Sequence, residues 1–418
     1  MNKNCLWTNF IFYFRALAAA VTLLFTALVP LNASAAGTLA EIFSEGQAYG
    51  ELRLYSFTTD YSENTPDAND NAVGGIVYLR TAEVKGISFG ATLGIAEDFF
   101  SDDDKDSFKL LQENHDGYRK FLEAYVQGHW FDTTIKYGAQ IIYTPYADID
   151  PGRFLPKTYK GLSLINKSIR NLELHAYYIT DFSDWCEDWY RPVGTGMNAN
   201  NYDDPLYIGG FKYRLETDPV NVEFEAWGYN LRDTFNLGFL RMKAEKQIGD
   251  LSLFFMPSYT VQKSIGDETS GKIDTYEIGF ETGFKYAGLE LKGFLSKSGD
   301  DDLATPWGPG GRVIKQEERI SGFAEMDAYA VRMEYNFSSL SLPGLTAAVY
   351  YADYDSPYAY SDSKETNYVL RYNFGKEFNK ALEGVSVELT YADVDFERSE
   401  DFKRTDLRIK FPFSFTKL

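Results

Sequence analysis

The sequence predicts an all-β protein: a closed transmembrane antiparallel β-barrel of about eighteen strands, sixteen being the alternative count. Three observations carry that expectation. The chain opens with an export signal. Period-two runs of roughly ten residues repeat from about residue 46 almost to the end. The connections between those runs alternate between tight turns and long polar loops.

The signal comes first. Lys3 and Arg15 give a positive start, "ALAAAVTLLFTALV" (Ala16–Val29) an apolar stretch, and Ala33-Ser34-Ala35 a small-residue cleavage site. The apolar stretch falls short of the roughly 20 residues a spanning helix needs. Residues 1–35 therefore read as a cleaved signal and 36–418 as the barrel. Cys5 lies within the signal and leaves Cys186 alone in the mature chain, so neither an intramolecular disulfide nor a CxxC site is available.

The strands follow. "VYLRTAEV" (Val77–Val84), "FLEAYVQGHW" (Phe121–Trp130), "VNVEFEAWGY" (Val220–Tyr229), "YAVRMEYNF" (Tyr329–Phe337) and "DLRIKFPFSF" (Asp406–Phe415) alternate apolar with polar or charged positions. Such a run is the length of one tilted bilayer crossing. Val84-Lys85-Gly86, Phe131-Asp132, Ser168-Ile169-Arg170, Asp218-Pro219, Gly249-Asp250 and Ala287-Gly288 read as tight turns. Thr59–Asn71, Asp98–Tyr118, Tyr143–Lys157, Asp184–Asp203 and Ser298–Met326 read as long loops. In outer-membrane barrels the short turns face the periplasm and the long loops face outward.

Periodicity alone leaves two readings of the faces open. A two-layer soluble protein would bury the apolar face, whereas a barrel would turn it to lipid and line its lumen with the charges. The signal, the long–short rhythm and the aromatics at strand ends (Tyr49, Tyr55, Tyr137, Tyr143, Tyr276, Tyr286) favour the barrel, with the aromatics expected in the interfacial girdles. Its partners would be outer-membrane lipid and lipopolysaccharide, the barrel assembly machinery, small hydrophilic solutes and, in some assemblies, further copies of the chain. A net charge of −20 argues against a nucleic-acid partner.

Tyr143–Lys157, "YTPYADIDPGRFLPK", is too long and too stiff for a plain turn. It joins the fifth and sixth expected strands, which makes it the third extracellular loop. Pro145, Pro151 and Pro156 each fix φ and remove a donor. Folded into the lumen, Tyr143, Pro145, Asp148, Asp150, Arg153 and Pro156 would form a pore constriction with opposed charges.

The stretch "YTPYADIDPGRFLPKTYKGLSL" resembles the third-loop segment of the OprD-type outer-membrane porins. Thr144, Pro145, Asp148, Asp150, Arg153, Pro156, Thr158, Tyr159 and Gly161 match that family's pattern. The flanking "YRKFLEAYVQGHWFDTTIKYGAQII" and the early "VYLRTAEVKGISFGATLG" look like the family's strand pairs. Gln140 departs from it, where the family tends to have Gly-Arg. The resemblance implies an eighteen-stranded pore in a Gram-negative outer membrane for passive diffusion of small solutes such as amino acids, short peptides or small carboxylates. It also implies a ladder of basic lumen residues, here Arg53, Arg80, Lys136, Lys212, Arg214, Arg241, Arg332, Arg371 and Arg408. Glu123 and other glutamates share their phase, so a mixed wall is the competing expectation.

Enzymatic signals are sparse. His129 and His175 are lumen-phase but three strands apart, and no G-x-S-x-G or H-E-x-x-H occurs. The expectation is no enzyme, no catalytic residue, no cofactor and no metal site. A barrel enzyme or adhesin with a closed lumen is the alternative function. The acidic stretches Ser101–Ser107 and Gly299–Asp302 lack the spacing of a calcium loop and read as outer loops that are solvated or contact lipopolysaccharide cations.

Overall fold

The computed structural model describes residues 45–199, 202–217, 219–376 and 378–415. The expected signal and the last three residues lie outside them. The strands are β1 (Gln47–Tyr61), β2 (Ala68–Arg80), β3 (Ile87–Asp98), β4 (Tyr118–Trp130), β5 (Thr133–Gln140), β6 (Thr158–Asn166), β7 (Leu172–Ser183), β8 (Arg191–Pro192), β9 (Leu206–Thr217) and β10 (Val220–Leu231). They continue as β11 (Phe235–Ile248), β12 (Leu251–Ser264), β13 (Asp274–Tyr286), β14 (Leu289–Ser298), β15 (Asp327–Asn336), β16 (Leu345–Asp355), β17 (Ser363–Asn373), β18 (Ser386–Phe396) and β19 (Phe402–Phe415). The strand pairings are all antiparallel and join neighbours in sequence, except that β7 also pairs β9 past the two-residue β8 and that the first strand meets the last. β1 pairs β19 from Ala48↔Phe415 to Tyr61↔Phe402. That pairing leaves no open edge: eighteen strands close a barrel, with β8 as a side branch. Among the described residues no helix is long and apolar enough to cross a membrane, so the crossing is made by strands.

The two readings of the faces separate here. Leu52, Leu240, Leu295 and Met333 are about half exposed, while Glu225, Glu277, Glu365 and Arg404 on the alternate positions are buried. A soluble sandwich would show the reverse. The apolar face is the outer one and suits lipid; the charged face looks inward.

The tight turns lie where the sequence places them, save that Asp218 of the expected Asp218-Pro219 turn lies outside the described residues. Phe131-Asp132 and Ala287-Gly288 both have positive φ at their two central residues, the primed geometry that matches the strand twist. Two connections differ from the expected rhythm. The first outer loop is shorter than Thr59–Asn71, because β1 runs on to Tyr61 and β2 restarts at Ala68. On the turn side, β17 and β18 are joined by a link longer than the tight turns named above.

The buried apolar residues fall in three clusters, each of which joins one sector of the wall to an outer loop. Tyr229, Leu237 and Phe239 of β10 and β11 pack with Tyr146, Ala147 and Trp307. Tyr55, Ile76 and Leu122 pack with Leu110, Leu111, Phe154 and Leu155. Ala330, Ala352 and Tyr354 pack with Ile314. Tyr55 is thus corrected: its side chain is 1% exposed and edge-on to Phe154, inside rather than in a lipid girdle. Tyr49 shares its inward phase and stacks on Tyr78.

Candidate pore constriction

Residues 141–157 leave the wall at Gln140 and return at Thr158. Between those points they touch widely separated strands. The Tyr146 N–H donates to the Tyr229 hydroxyl at 3.0 Å, and the Tyr146 hydroxyl lies 2.7 Å from Thr260 on β12. In the other direction Arg53 of β1 donates to the Phe154 carbonyl, and Leu155 lies over Gly94 of β3. The contacts therefore run from β1 round to β12, more than half the circumference. Arg53 sits eight residues inside Tyr61, the outer end of β1.

The expected constriction residues separate into groups. Tyr143 is exposed, whereas Pro145, Asp150, Arg153 and Pro156 are buried. Asp150 meets Lys315 at 3.4 Å and Lys157 at 3.6 Å. Arg153 lies over the Trp185 ring at 4.9 Å and 3.8 Å from Glu318. The Asp148 N–H donates to the Trp307 carbonyl at 3.3 Å. Burial pushes the Asp148 carboxyl up to about 6, with Lys315 opposing and Asp150 reinforcing the rise.

A second loop supplies most of these partners. Residues 299–326 carry "WGPGG", Trp307–Gly311, against the first loop. A Cβ on Gly308 would stand 2.4 Å from the Asp148 carboxylate, and one on Gly311 would stand 2.6 Å from the Tyr146 ring. Glycine is what lets the two backbones approach. The Trp307 indole is buried, stacks on Phe235 and donates to the Val193 carbonyl at 3.1 Å. From the sequence Ser298–Met326 reads only as a long polar outer loop. The Gly-Pro-Gly-Gly run beside a tryptophan was the available signal.

The inward arginines do not form a bare ladder. Arg53 pairs with Glu51, Arg80 with Glu123 and Arg241 with Glu225. Arg332 meets Glu334 at 2.5 Å and Arg214 meets Glu223 at 2.8 Å. Arg371 and Arg408 share Glu388. Arg408 also bonds Asp406 at 2.8 Å and pairs with Glu317 of the second loop; Glu318 pairs with Arg404. Burial opposes ionisation of Glu317, but Arg408 and Arg404 outweigh it and hold its carboxyl down at about 2. Lys136 and Lys212 instead sit over aromatic rings, 4.1 Å from Tyr125 and 6.0 Å from Trp227.

His129 and His175 are separated by β5 and β6, since His129 pairs with Thr134 and Ile165 with His175. Three strand spacings are about 14 Å, too far for direct contact. Burial pushes the Cys186 thiol up to about 12, which leaves it un-ionised near neutrality. Among the described residues no cluster of metal-ligating side chains occurs.

A closed eighteen-stranded barrel, apolar outside and charged inside, is the architecture of an outer-membrane porin. A family model described as outer membrane porin, OprD family, matches residues 102–415, and the chain belongs to that family. It forms a water-filled channel in a Gram-negative outer membrane through which ions and small hydrophilic solutes diffuse passively. Among solved structures it is similar to Pseudomonas aeruginosa OpdK crystallised with vanillate, at 18% identity and a TM-score of 0.77 over 90% of this chain and 100% of that one. It is also similar to a BenF-like porin of Pseudomonas fluorescens Pf-5, with the same four values. Pseudomonas aeruginosa OccK9 (OpdG) aligns at 17% identity and 0.78 over 89% and 99%. At these identities the likeness establishes the fold. No curated protein sequence matches the chain significantly.

Proposed function

We propose that residues 141–157 and 299–326 together narrow the channel, and that the narrowed channel admits small monocarboxylates and amino acids. Eighteen strands spaced about 4.8 Å and tilted about 40° give a circumference near 110 Å and a backbone radius of about 18 Å. A bare lumen of that width would pass far larger solutes. The observation that carries the reading is the reach of the first loop from β1 to β12, with Arg53 and Thr260 as its contacts.

The solute class rests on the strip left beside the loops. Tyr49, Tyr78 and Tyr143 carry exposed ring surface, and Arg80 lies over Tyr78 and Tyr125. Lys136 offers an ammonium with no ion-pair partner among the described residues. Rings beside a cation suit a small carboxylate, and OpdK was crystallised with an aromatic one. The reading gives the chain no catalytic role. It takes lipopolysaccharide as the partner of the acidic outer loops and the barrel assembly machinery as the route of insertion.

Planar-bilayer recordings test the constriction. Deleting residues 147–154 is expected to raise single-channel conductance several-fold while the barrel stays closed, because strand pairing does not involve them. An unchanged conductance would refute the constriction. Swelling of proteoliposomes in benzoate, glycine and sugars of rising size tests the solute class; equal rates for charged and neutral solutes of one size would refute it.

A further inference from the structure

The second loop ends its reach in a tight turn, Gln316–Arg319. An antiparallel bridge between Lys315 and Ile320 closes it, and the Gln316 N–H donates to the Arg319 carbonyl at 2.8 Å. The turn rests on β16 and β17. Gln316 donates to the Tyr350 carbonyl at 2.9 Å and the Glu365 carbonyl at 3.1 Å, and the Tyr354 hydroxyl donates to Gln316 at 3.0 Å.

Beneath the turn lies the side chain of Glu365, which is fully buried. All its bonds come from donors. Oε1 accepts from the N–H groups of Glu317 at 3.1 Å and Glu318 at 3.2 Å, and from the Asn367 amide at 2.6 Å. Oε2 accepts from the Arg319 N–H at 2.7 Å. Three successive backbone N–H groups aimed at one acidic side chain make a nest. No lysine or arginine forms an ion pair with Glu365 among the described residues, so the loop backbone and Asn367 are its compensation. The same device recurs at Asp70 of β2. Its Oδ2 accepts from Phe108, Leu110 and Leu111 N–H at 2.8, 3.0 and 3.2 Å and so holds residues 99–117.

We propose that Glu365 is a positioning residue of the channel: a wall carboxylate that clamps the turn 316–319. Through that clamp it sets where Glu317 and Glu318 stand against Arg153, Arg404 and Arg408. The proposal rests on the reading that residues 299–326 help narrow the channel. Glu365 has no need to touch the solute. With the turn clamped, the arginines are neutralised and the aperture is small; with it released, the aperture widens and the arginines are bare.

Single-channel recording on the full chain tests this with Glu365→Gln. The glutamine amide would point N–H at N–H, and one unsatisfied buried donor shifts such an equilibrium by about tenfold or more. The expected record shows a larger current level occupied about tenfold more often than in wild type. That level should also have a higher chloride-to-potassium permeability ratio, a readout that mere loosening of the barrel would not produce. Arg319→Pro removes the N–H that Glu365 Oε2 accepts, together with the side-chain bonds from Arg319 to Ser363 and the Tyr360 carbonyl, and leaves every strand's backbone pairing intact, so it is expected to reproduce both changes even where Glu365→Gln folds poorly. Replacing residues 304–321 by a short Gly-Ser turn supplies the reference. If that truncation raises the current while both point variants behave as wild type, the clamp is wrong and the constriction stands. If the truncation itself leaves the current unchanged, the reading of residues 299–326 as part of the constriction falls, and the clamp with it.

Discussion

Glu317→Gln isolates the charge on the second loop from its position. Around Glu317 stand the guanidiniums of Arg153, Arg371, Arg404 and Arg408 and the carboxylates of Glu318, Glu388 and Asp406. With Glu317 included the cluster balances, so the substitution leaves one positive charge. An ion passing about 7 Å away, at the dielectric of water, feels about 0.6 kcal/mol from that charge, close to RT. Chloride is then enriched about threefold and potassium depleted as much, so their permeability ratio rises up to about sevenfold at low salt. At 0.15 M the Debye length of about 8 Å reduces the change to roughly twofold. Reversal potentials across a potassium chloride gradient measure the ratio, at low and at physiological ionic strength. Because the Glu317 carboxyl is held near 2, the wild-type ratio should be independent of pH from neutrality down to about 3 as far as this group is concerned. Its stabilising contribution is present above the ordinary carboxylate range and is lost as pH falls through about 2. A ratio that does not move in Glu317→Gln at low salt would show that the cluster does not face the ion path.

Three further outcomes follow from the loops. Asp148 has its carboxyl raised to about 6, so its protonated form is favoured by folding and its charge costs stability as pH rises from the ordinary range through 6. Conductance should show a step near pH 6 that Asp148→Asn abolishes; a step that survives the substitution assigns it elsewhere. His115 has an acceptor at each ring nitrogen, Asp70 at 2.8 Å and the Lys105 carbonyl at 3.0 Å. Burial disfavours its charge, yet the bonds to Asp70 and Lys105 raise its pKa above the ordinary value. Its contribution is whole below the ordinary histidine pKa and is lost as pH rises through the raised one, so residues 99–117 should become more protease-sensitive on the alkaline side. His115→Ala should show that sensitivity at every pH, and equal cleavage of the two proteins at low pH would refute the link. Trp307→Ala empties a buried site at a cost of about 3–5 kcal/mol and should give noisier, larger single-channel currents; a variant record as quiet as that of the wild type would mean that Trp307 does not hold the two loops together.

The strands were legible because a barrel wall obeys one local rule. Val331 and Met333 against Arg332 and Glu334 alternate without exception, and a one-residue slip would put arginine in lipid. The third loop stood out in the sequence because its prolines and mixed charges have no role in a turn. Its partners were not legible. Asp150–Lys315 and Arg153–Glu318 join residues more than a hundred and sixty positions apart, and no local pattern encodes such a pair. The choice between an arginine ladder and a mixed wall stayed open in the sequence for the same reason: phase gives the face of Arg408, while Glu317, which pairs with it, arrives from a loop. Tyr55 misled because a tyrosine near a strand end reads alike whether it meets an interface or the inward ring of Phe154.

On the proposed reading, the placement of the apolar clusters explains why such loops would fold inward at all. A lumen wall of charged residues gives a loop little apolar surface to bury, and water competes for each hydrogen bond. This wall carries aromatics on its inward phase at the sites of contact: Tyr55 and Phe57 on β1, Trp227 and Tyr229 on β10, Phe239 on β11 and Tyr354 on β16. Each receives a loop side chain or lies in a cluster that contains one. Burying one large side chain of this kind contributes about 1.5–3 kcal/mol, enough to favour docking of a loop whose prolines have already reduced its freedom. The acids and amides then fix the register: Asp70 and Glu365 for two loops, Glu123 through the Ile141 N–H at 3.3 Å for the third. On that reading, apolar contact supplies the free energy of narrowing, and hydrogen bonds to wall carboxylates supply its geometry. Substitutions of the two kinds should accordingly separate. Loss of an aromatic should lower the melting temperature of the folded channel and widen the current distribution together. Loss of a wall carboxylate should move the current level with little change in melting. A carboxylate variant that melts as early as Trp307→Ala without a new current level would refute this division.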